Sequence, residues 1–382
     1  MPGEIFIDCT IQLSNRTAVY FMADHLAELA AEVTGRPPLR RYWRLFTRRR
    51  LDILDTPRRE QLALLAHKLA GREARHLHLP WPRPKAMPGL FVDAVTTPLT
   101  RLSSGDLVVV HDLGCFLHPE FYDGDARGHA RQVYSRIQAA APHIVAVSHA
   151  TLAALTAHFP ADYASTTVIH PYTRVRPARV PRAKQKLVFM PGVLERRKNH
   201  LAAIEGFRQS GLAAAGWRLL IAGPPGNAAE QVAAAAGAGE GVQYLGYLTG
   251  DEVERLYDQA AFTLFPSLFE GFGLPAIEAV ARGALPIVSL GTVLEEIVGP
   301  DGLLVDPHSP ASIAATLRAA RDMSEPTRTE QVARIAAHQR AYSPERFDEL
   351  WRARIAAVRD SFSDREREGD LRALRRPALV LD

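Results

Sequence analysis

FTLFPSLFEGFGLPAIEAVARGALPIVS, residues 262–289, predicts a strand, a glycine-containing loop, a helix and a second strand. FTLF is short and apolar, and LPIVS has the continuous apolar character of a strand buried in a parallel sheet. Pro275 suits the first helical turn, where a missing N–H costs nothing, and Gly283 suits a left-handed helix end. This order of elements is typical of one unit of a parallel α/β sheet.

The loop within this stretch predicts an anion site. Gly271 and Gly273 lead into a helix N-terminus, where unpaired N–H groups and the positive end of the helix dipole point to one place. Glu270 would repel a phosphate there, so we expect it to face hydroxyl groups. Glu278, one turn inside the helix, can chelate two vicinal hydroxyls, such as those of a ribose. A phosphate between two sets of hydroxyls describes a nucleotide sugar; the alternative is an ordinary strand-to-helix turn with two solvated glutamates.

The second half of the chain repeats the alternation of strands and helices, which predicts a parallel sheet. After its first strand, the loop GVLERRKNH carries Arg196, Arg197 and Lys198. Three cations at the carboxyl end of a strand are well placed to neutralise a diphosphate leaving group. The alternative is a solvated basic turn. The segment IAGPPGN lacks a dinucleotide-binding glycine pattern, and we interpret it as a turn.

The first half begins with a strand, the connection IQLSNR and a helix. That connection has no glycine, so we do not expect it to bind phosphates tightly. Further on, the buried strand LVVV brings His111 and Asp112 to its carboxyl end, where open α/β sheets bind ligands. A histidine there can exchange protons or hydrogen-bond a sugar hydroxyl. The alternative is a histidine that closes a turn, with Asp112 as a cap.

The length of 382 residues predicts two domains, because single hydrophobic cores stop growing below that size. The proline-rich, aperiodic stretch 171–186 is typical of a hinge. We therefore expect domains at 1–175 and 176–342. Residues 343–382 are expected to form an amphipathic helix that packs across the junction, followed by a charged tail.

The composition, with 47% apolar and 23% charged residues, is ordinary for a globular enzyme. Cys9 and Cys115 have no spacing typical of a disulfide scaffold or a zinc site. The sequence DGD at 123–125 resembles an acidic pair that holds a divalent metal in some sugar transferases, but aspartates at a helix start are expected as caps. We expect no metal. Neither a signal peptide nor a long apolar run is recognised, so we expect a cytoplasmic protein.

The segment 36–50 is dense in arginine, with Tyr42, Trp43, Leu45 and Phe46 between the arginines. This combination suits an anionic membrane surface or a phosphorylated carrier. A nucleic-acid surface would look similar, and the abundance of arginine throughout the chain makes a solvated basic face the alternative. We expect peripheral contact with the inner membrane face and no nucleic-acid partner.

Four motifs occur in a fixed order on these elements: VVVHDLGCFLHPE (108–120), GVLERRKNH (192–200), EGFGLPAIE (270–278) and GLLVDP (302–307). With them the chain resembles family 4 glycosyltransferases, and among these bacterial mannosyltransferases of O-antigen and related polysaccharide assembly. The resemblance implies an α/β GT-B fold, which has two Rossmann-like domains with parallel sheets facing across a cleft. A C-terminal helix would cross back to the first domain. The first domain would bind the acceptor and the second the nucleotide sugar.

The resemblance also implies roles for individual residues. Glu270 would face the donor sugar and Glu278 the ribose, while Arg197 and Lys198 would stabilise the leaving diphosphate. The residues matching donor-binding positions are Gly192, Arg196, Arg197, Lys198, Tyr247, Leu248, Glu270, Gly271, Phe272, Gly273, Leu274 and Glu278. Among these, residues 272–274 would present backbone N–H groups, and residues 247–248 would contact the base through their backbone.

The catalytic residues implied by the resemblance are Glu270, His111, Lys198 and Asp112. Glu296 matches a family glutamate of less defined purpose. Many members have a glycine-rich loop after the first strand that touches the donor phosphate or the acceptor, and IQLSNR has none; Asn15 or Arg16 could take its place at the acceptor. Val193 stands where an arginine is common, and Arg196 or Arg197 could take over that role.

The sequence therefore predicts a retaining, metal-independent glycosyltransferase without a cofactor. Its donor would be a GDP- or UDP-linked sugar, with mannose favoured, and its acceptor a glycan or lipid-linked glycan of cell-surface polysaccharide biosynthesis. Two alternatives stay open: a sugar-nucleotide epimerase of the same fold, and a catalytically degenerate GT-B protein that acts as a partner or scaffold.

Overall fold

The computed structural model describes residues 5–9, 12, 18–41, 87–99, 101–122, 124–177, 183–238 and 240–367. The chain divides into two compact units. The first comprises Met1–Phe116, Asp125–Ile169 and Phe347–Asp382, and the second comprises Leu117–Gly124 and His170–Arg346. Asn15, Arg16, Asp123 and most of the 36–50 segment lie outside the described residues.

The first unit contains a six-stranded sheet in the order β2-β1-β3-β4-β5-β6, and every pairing in it is parallel. Its strands are β1 (Phe6–Asp8), β2 (Leu39–Arg41), β3 (Gly89–Phe91), β4 (Leu107–Val110), β5 (His143–Ala146) and β6 (Ser165–Val168). All residues of β1, β3, β4 and β5 are buried. This burial agrees with the continuous apolar runs that parallel strands require.

Among the described residues, the helices that precede β6 are α1 (Ala18–Thr34), α2 (Gly114–Leu117), α3 (Ala126–Ala140) and α4 (His149–His158). Ser148 caps α4, because its side chain accepts a hydrogen bond from the Thr151 N–H. Asp125 caps α3 in the same way by accepting from the Gly128 N–H. The aspartate of the DGD sequence that the structure describes therefore acts as a helix cap.

The second unit also contains a six-stranded parallel sheet, in the order β12-β11-β10-β7-β8-β9. Its strands are β7 (Gln185–Pro191), β8 (Arg218–Ala222), β9 (Val242–Tyr244), β10 (Ala260–Phe265), β11 (Leu285–Ser289) and β12 (Leu303–Val305). Its helices are α5 (His200–Ser210), α6 (Ala229–Gly237), α7 (Gly250–Gln259), α8 (Leu274–Ala281), α9 (Val293–Val298), α10 (Pro310–Arg321) and α11 (Glu325–His338). The two parallel α/β sheets predicted from the sequence are thus confirmed.

The stretch 262–289 has the predicted order of elements. It contains β10, α8 and β11, and β10 and β11 are fully buried. Pro275 lies in the first turn of α8, and Gly283 follows the helix with a φ of +74°. Both signals that marked the ends of this helix are confirmed.

The last helix that the structure describes, α12 (Pro344–Arg367), belongs to the first unit from Phe347 onward. The apolar stripe that the sequence predicts for this helix consists of Phe347, Leu350, Trp351, Ile355 and Val358; all of these are buried except Leu350, which is half-buried. Within the first unit, Arg352 pairs with Glu32 at 2.9 Å. None of the described helices combines the length and the apolarity that a bilayer span needs.

Lys184 ties the start of β7 to the ends of two helices. Its ammonium donates to the carbonyls of Tyr257 and Asp258, both at 3.0 Å, and to that of Arg282 at 2.7 Å. These are terminal carbonyls of α7 and α8, which have no partner inside their own helices. Burial lowers the pKa of Lys184 to about 8.

Replacing Lys184 by Met leaves these three carbonyls without their charged donor. We expect Lys184→Met to lower the free energy of unfolding by about 2–3 kcal/mol, measured by denaturant or thermal unfolding. Lys186→Met is the matched control, because the exposed Lys186 ammonium donates to one carbonyl only, that of Ala215. Equal destabilisation by both variants would contradict the assignment.

Candidate functional site

Most of the predicted donor-binding residues of the second unit lie in loops that follow the carboxyl ends of three of its strands. Gly192 follows β7, Tyr247 lies in the loop after β9, and Glu270 lies in the loop after β10. In a parallel sheet these ends share one edge, where α/β proteins bind ligands.

Glu270 lies between two cations of the GVLERRKNH loop. Its Oε1 is 2.5 Å from Lys198 Nζ, and its Oε2 is 2.8 Å from Arg197 Nη1. Ser267 Oγ donates to the same Oε1 at 2.8 Å. The Glu270 side chain is only 9% exposed. The structure therefore brings together three of the predicted residues in one nearly buried ion cluster.

The ion cluster favours the charged forms of Glu270 and Arg197. Burial by itself raises the pKa of Glu270, but Lys198 and Arg197 outweigh burial and hold this pKa below its ordinary value. Burial opposes the charge of Arg197, yet Glu270 and Glu195 raise the pKa of the guanidinium. Arg197 Nε also lies 2.7 Å from Glu195 Oε2. Two cations thus face two carboxylates.

Close backbone packing fixes the cationic loop. The Gly192 N–H donates to the Ala222 carbonyl at 2.8 Å, and a Cβ on Gly223 would lie 1.9 Å from the Gly192 carbonyl oxygen. Asn227 Oδ1 accepts from the Arg196 N–H at 2.9 Å. The IAGPPGN segment therefore supports the cationic loop. The sequence reasoning missed this role; the available signal was a pair of glycines directly after a buried strand.

Asn199 connects three loops and was also missed. It has a left-handed φ of +60°, which asparagine tolerates better than most residues. Its side-chain amide donates to the carbonyls of Pro266, at 3.0 Å, and Pro307, at 2.7 Å. In addition, the Leu268 N–H donates to the Arg197 carbonyl at 2.8 Å. These bonds set the position of the Glu270 loop relative to the cations.

The N-terminus of α8 is open at its side-chain cap position. Gly273 precedes it with a φ of +116°, and a Cβ there would lie 2.3 Å from Leu294 Cδ2. No side chain among the described residues caps this helix. The Phe272 ring stacks on His170 and meets the edge of Tyr342, with centroid distances of 5.6 Å in both cases. This packing holds the backbone that leads into the helix, where an anion would meet the positive end of the helix dipole.

Glu278 has partners different from those of Glu270. Tyr257 Oη donates to Glu278 Oε2 at 3.0 Å, and Thr173 Oγ1 lies 3.5 Å from Oε1. Burial raises the pKa of Glu278, and the hydrogen bonds from Tyr257 and Thr173 oppose that rise.

Three further predicted donor residues lie at the surface of the second unit. Tyr247 is 74% exposed, Leu248 is partly exposed, and the Arg196 side chain is exposed. Of these, Arg196 contributes to the loop through its backbone N–H.

In the first unit, His111 and Asp112 follow β4 as predicted. His111 Nε2 lies 2.8 Å from the Val92 carbonyl oxygen, and since a carbonyl only accepts, Nε2 carries the proton. Asp112 Oδ1 accepts from the Gly114 N–H at 2.7 Å and so closes a turn. Asp93, which follows the neighbouring strand β3, was missed by the sequence reasoning. Burial raises its pKa, and the nearby His111 opposes that rise.

Comparison with known proteins gives a family match over part of the chain. Residues 173–337 match the family described as glycosyl transferases group 1. Over 74 residues the chain is 40% identical to O-antigen chain mannosyltransferase B of Escherichia coli, covering 19% of each chain. Over 89 residues it is 36% identical to MMP alpha-(1->4)-mannosyltransferase of Mycolicibacterium hassiacum, covering 23% of this chain and 22% of the relative.

Among solved structures, the chain is similar to a UDP-forming alpha,alpha-trehalose-phosphate synthase from Burkholderia vietnamiensis. The TM-score is 0.61 at 15% identity, and the similarity covers 93% of this chain and 99% of the synthase. The two-domain α/β GT-B fold is thereby confirmed, as is the resemblance to family 4 glycosyltransferases. The chain spans between 9% and 22% of the length of the first curated relatives that it matches.

The Gly192–Gly223 contact can be tested by adding one methyl group. We expect Gly223→Ala to lower the free energy of unfolding by about 1–3 kcal/mol, because the new Cβ overlaps a backbone oxygen. Gly237→Ala is the control, since a Cβ at Gly237 meets no atom within 4 Å. If thermal unfolding shows the same stability for both variants, the two glycines are not in contact.

His200 predicts a pH dependence of stability. It is 2% exposed, and burial, followed by the charge of Lys198, lowers its pKa to about 4. The unfolded chain binds this proton more tightly, so stability should fall as pH drops from about 6.5 to 4, by up to about 3 kcal/mol. Urea unfolding at several pH values should show a shallower loss for His200→Leu. His308→Asn, at an exposed position, should keep the wild-type slope; an unchanged slope for His200→Leu would argue against the buried neutral histidine.

Proposed function

We propose that this protein is a retaining glycosyltransferase. It moves a sugar, with mannose favoured, from a nucleoside diphosphate sugar to a glycan or lipid-linked acceptor in cell-surface polysaccharide biosynthesis. The observation that carries this proposal is the ion cluster of Glu270, Arg197 and Lys198. It follows the carboxyl ends of two adjacent strands, and the Glu270 loop leads into the uncapped N-terminus of α8.

The ion cluster suits the departure of a diphosphate. When the bond between the anomeric carbon and the phosphate oxygen breaks, its electron pair moves to the diphosphate. Arg197 and Lys198 stabilise the charge that develops there, and they are fixed beforehand by their contacts with Glu270 and Glu195. Because this chain supplies two cations for the leaving group, the proposed reaction needs no metal or cofactor.

The two glutamates serve the two sugars of the donor in this proposal. Glu270 is held ionised and accepts hydrogen bonds from hydroxyls of the transferred sugar. Glu278 accepts those of the ribose. In the first unit, His111 Nε2 donates to the Val92 carbonyl, and in the neutral imidazole this leaves Nδ1 with a lone pair that can accept a hydrogen bond from a sugar hydroxyl.

The names of the relatives support the finer parts of the proposal. Both curated relatives described above are mannosyltransferases by name, and one acts in O-antigen synthesis by name. The structurally similar synthase is UDP-forming by name. The arginine-rich segment 36–50 supports an acceptor presented at the inner face of a membrane. Charged, paired Glu270 and Lys198 favour a transferase over a degenerate scaffold.

Removing either side of the ion cluster should abolish transfer. We expect Glu270→Gln and Lys198→Ala each to reduce kcat by about 100-fold or more, because the leaving diphosphate or the transferred sugar loses a fixed charged partner. The measurement is product formation by mass spectrometry with a panel of nucleotide sugars and acceptors. Glu330→Gln and Lys186→Ala are matched controls at exposed positions and should keep wild-type activity. Full activity in both cluster variants would refute the assigned roles.

A further inference from the structure

Tyr257 is a fully buried side chain beside Glu278 that the proposed reaction leaves without a role. Its hydroxyl lies 3.0 Å from Glu278 Oε2 and 3.3 Å from the Pro275 carbonyl oxygen. Its ring meets the edge of Phe189, on β7, at a centroid distance of 5.3 Å. Its own carbonyl accepts from Lys184. The ring and the backbone of Tyr257 are thus both held, which fixes where its hydroxyl points.

The direction of the hydrogen bond follows from protonation. Burial raises the pKa of Tyr257 well above its ordinary value, so the hydroxyl keeps its proton and acts as the donor. Glu278 Oε2 is therefore an acceptor. A carboxylate in this buried position needs such a donor, because an ionised group without partners is costly to bury.

The two carboxylate oxygens of Glu278 accept hydrogen bonds of different quality. Oε2 has a well-formed bond from Tyr257, whereas Oε1 has the Thr173 hydroxyl at 3.5 Å, the limit of a hydrogen bond. Thr173 Oγ1 in addition accepts from the Val175 N–H at 3.0 Å. The bond to Tyr257 therefore sets the plane of the carboxylate, and Oε1 is the oxygen more easily given to a ligand.

We infer that Tyr257 is a positioning residue, which holds Glu278 so that its carboxylate accepts vicinal hydroxyls and thereby selects ribonucleotides over 2′-deoxyribonucleotides. This inference rests on the proposed function, since it takes the ligand of Glu278 to be a ribose. Tyr257 itself acts through Glu278. Without the Tyr257 hydroxyl, the Glu278 carboxylate rotates more freely. The free-energy cost of ordering this carboxylate then weakens ligand binding.

The test compares the binding of UDP and GDP with that of their 2′-deoxy forms by calorimetry. For whichever of UDP and GDP the wild-type protein binds, the ratio of its affinity to that of the 2′-deoxy form measures the preference for ribose. We expect Tyr257→Phe to reduce this ratio by about fivefold, the scale of one lost hydrogen bond. Affinity for the 2′-deoxy form should change little. In the Glu278→Gln background, the additional Tyr257→Phe change should have almost no effect, because the two residues act as one unit.

Tyr163→Phe is the matched control. Its hydroxyl donates to the Phe159 carbonyl at 2.6 Å in the first unit, and its loss should leave the ribose preference unchanged. Glu278→Asp provides a second variant, because its shorter side chain withdraws the carboxylate from Tyr257. This variant should also lose the preference for ribose. Circular dichroism confirms that each variant is folded.

The outcomes separate this inference from the proposed function. Wild-type ribose preference in a folded Tyr257→Phe variant would overturn the positioning role while leaving the transferase proposal intact. Additive losses in the double variant would do the same. Failure of the wild-type protein to bind any nucleotide or nucleotide sugar would overturn both. In transfer assays, the expected signature is a raised KM for the donor with kcat near the wild-type value.

Discussion

A nearly buried carboxylate held between two cations is the interaction on which the second unit's site depends. Glu270 without Arg197 and Lys198 would be driven toward its neutral form by burial, and the two cations keep it ionised. Arg197 and Lys198 lie 73 and 72 positions before Glu270 in the sequence. Pairing of β7 with β10 places their loops side by side. The ion cluster therefore joins two loops that each carry part of the proposed donor site.

Charge balance in this cluster gives it a second property. Arg197 and Lys198 face Glu270 and Glu195. In the proposed reaction, the oxygens of a bound diphosphate would replace these carboxylates as the anionic partners of the two cations. Breaking a buried pair by removing one partner is costly, because the other charge is left uncompensated. The backbone contacts of Gly192 with Gly223, and of Asn199 with its two carbonyl partners, keep the cations in place during such an exchange.

The two glutamates of EGFGLPAIE show how the surroundings of a side chain set its chemistry. Cations lower the pKa of Glu270, whereas burial raises that of Glu278, whose partners are hydroxyl groups. Identical side chains eight positions apart thus have different protonation behaviour. The difference agrees with separate partners in the proposed donor, a transferred sugar for Glu270 and a ribose for Glu278, with Tyr257 as the group that orients the latter.

The sequence by itself determined the parallel α/β class, the ends of α8 and the set of residues that follow the strands, because apolar periodicity, proline and glycine act within a few residues. It did not reveal that IAGPPGN braces the cationic loop, that Asp93 lies near His111, or that Tyr257 holds Glu278. Those contacts join separate elements of the chain. They depend on the strand orders of the two sheets, β2-β1-β3-β4-β5-β6 and β12-β11-β10-β7-β8-β9, and on side-chain packing, which no local pattern specifies. Tertiary structure alone therefore decided which candidate residues meet.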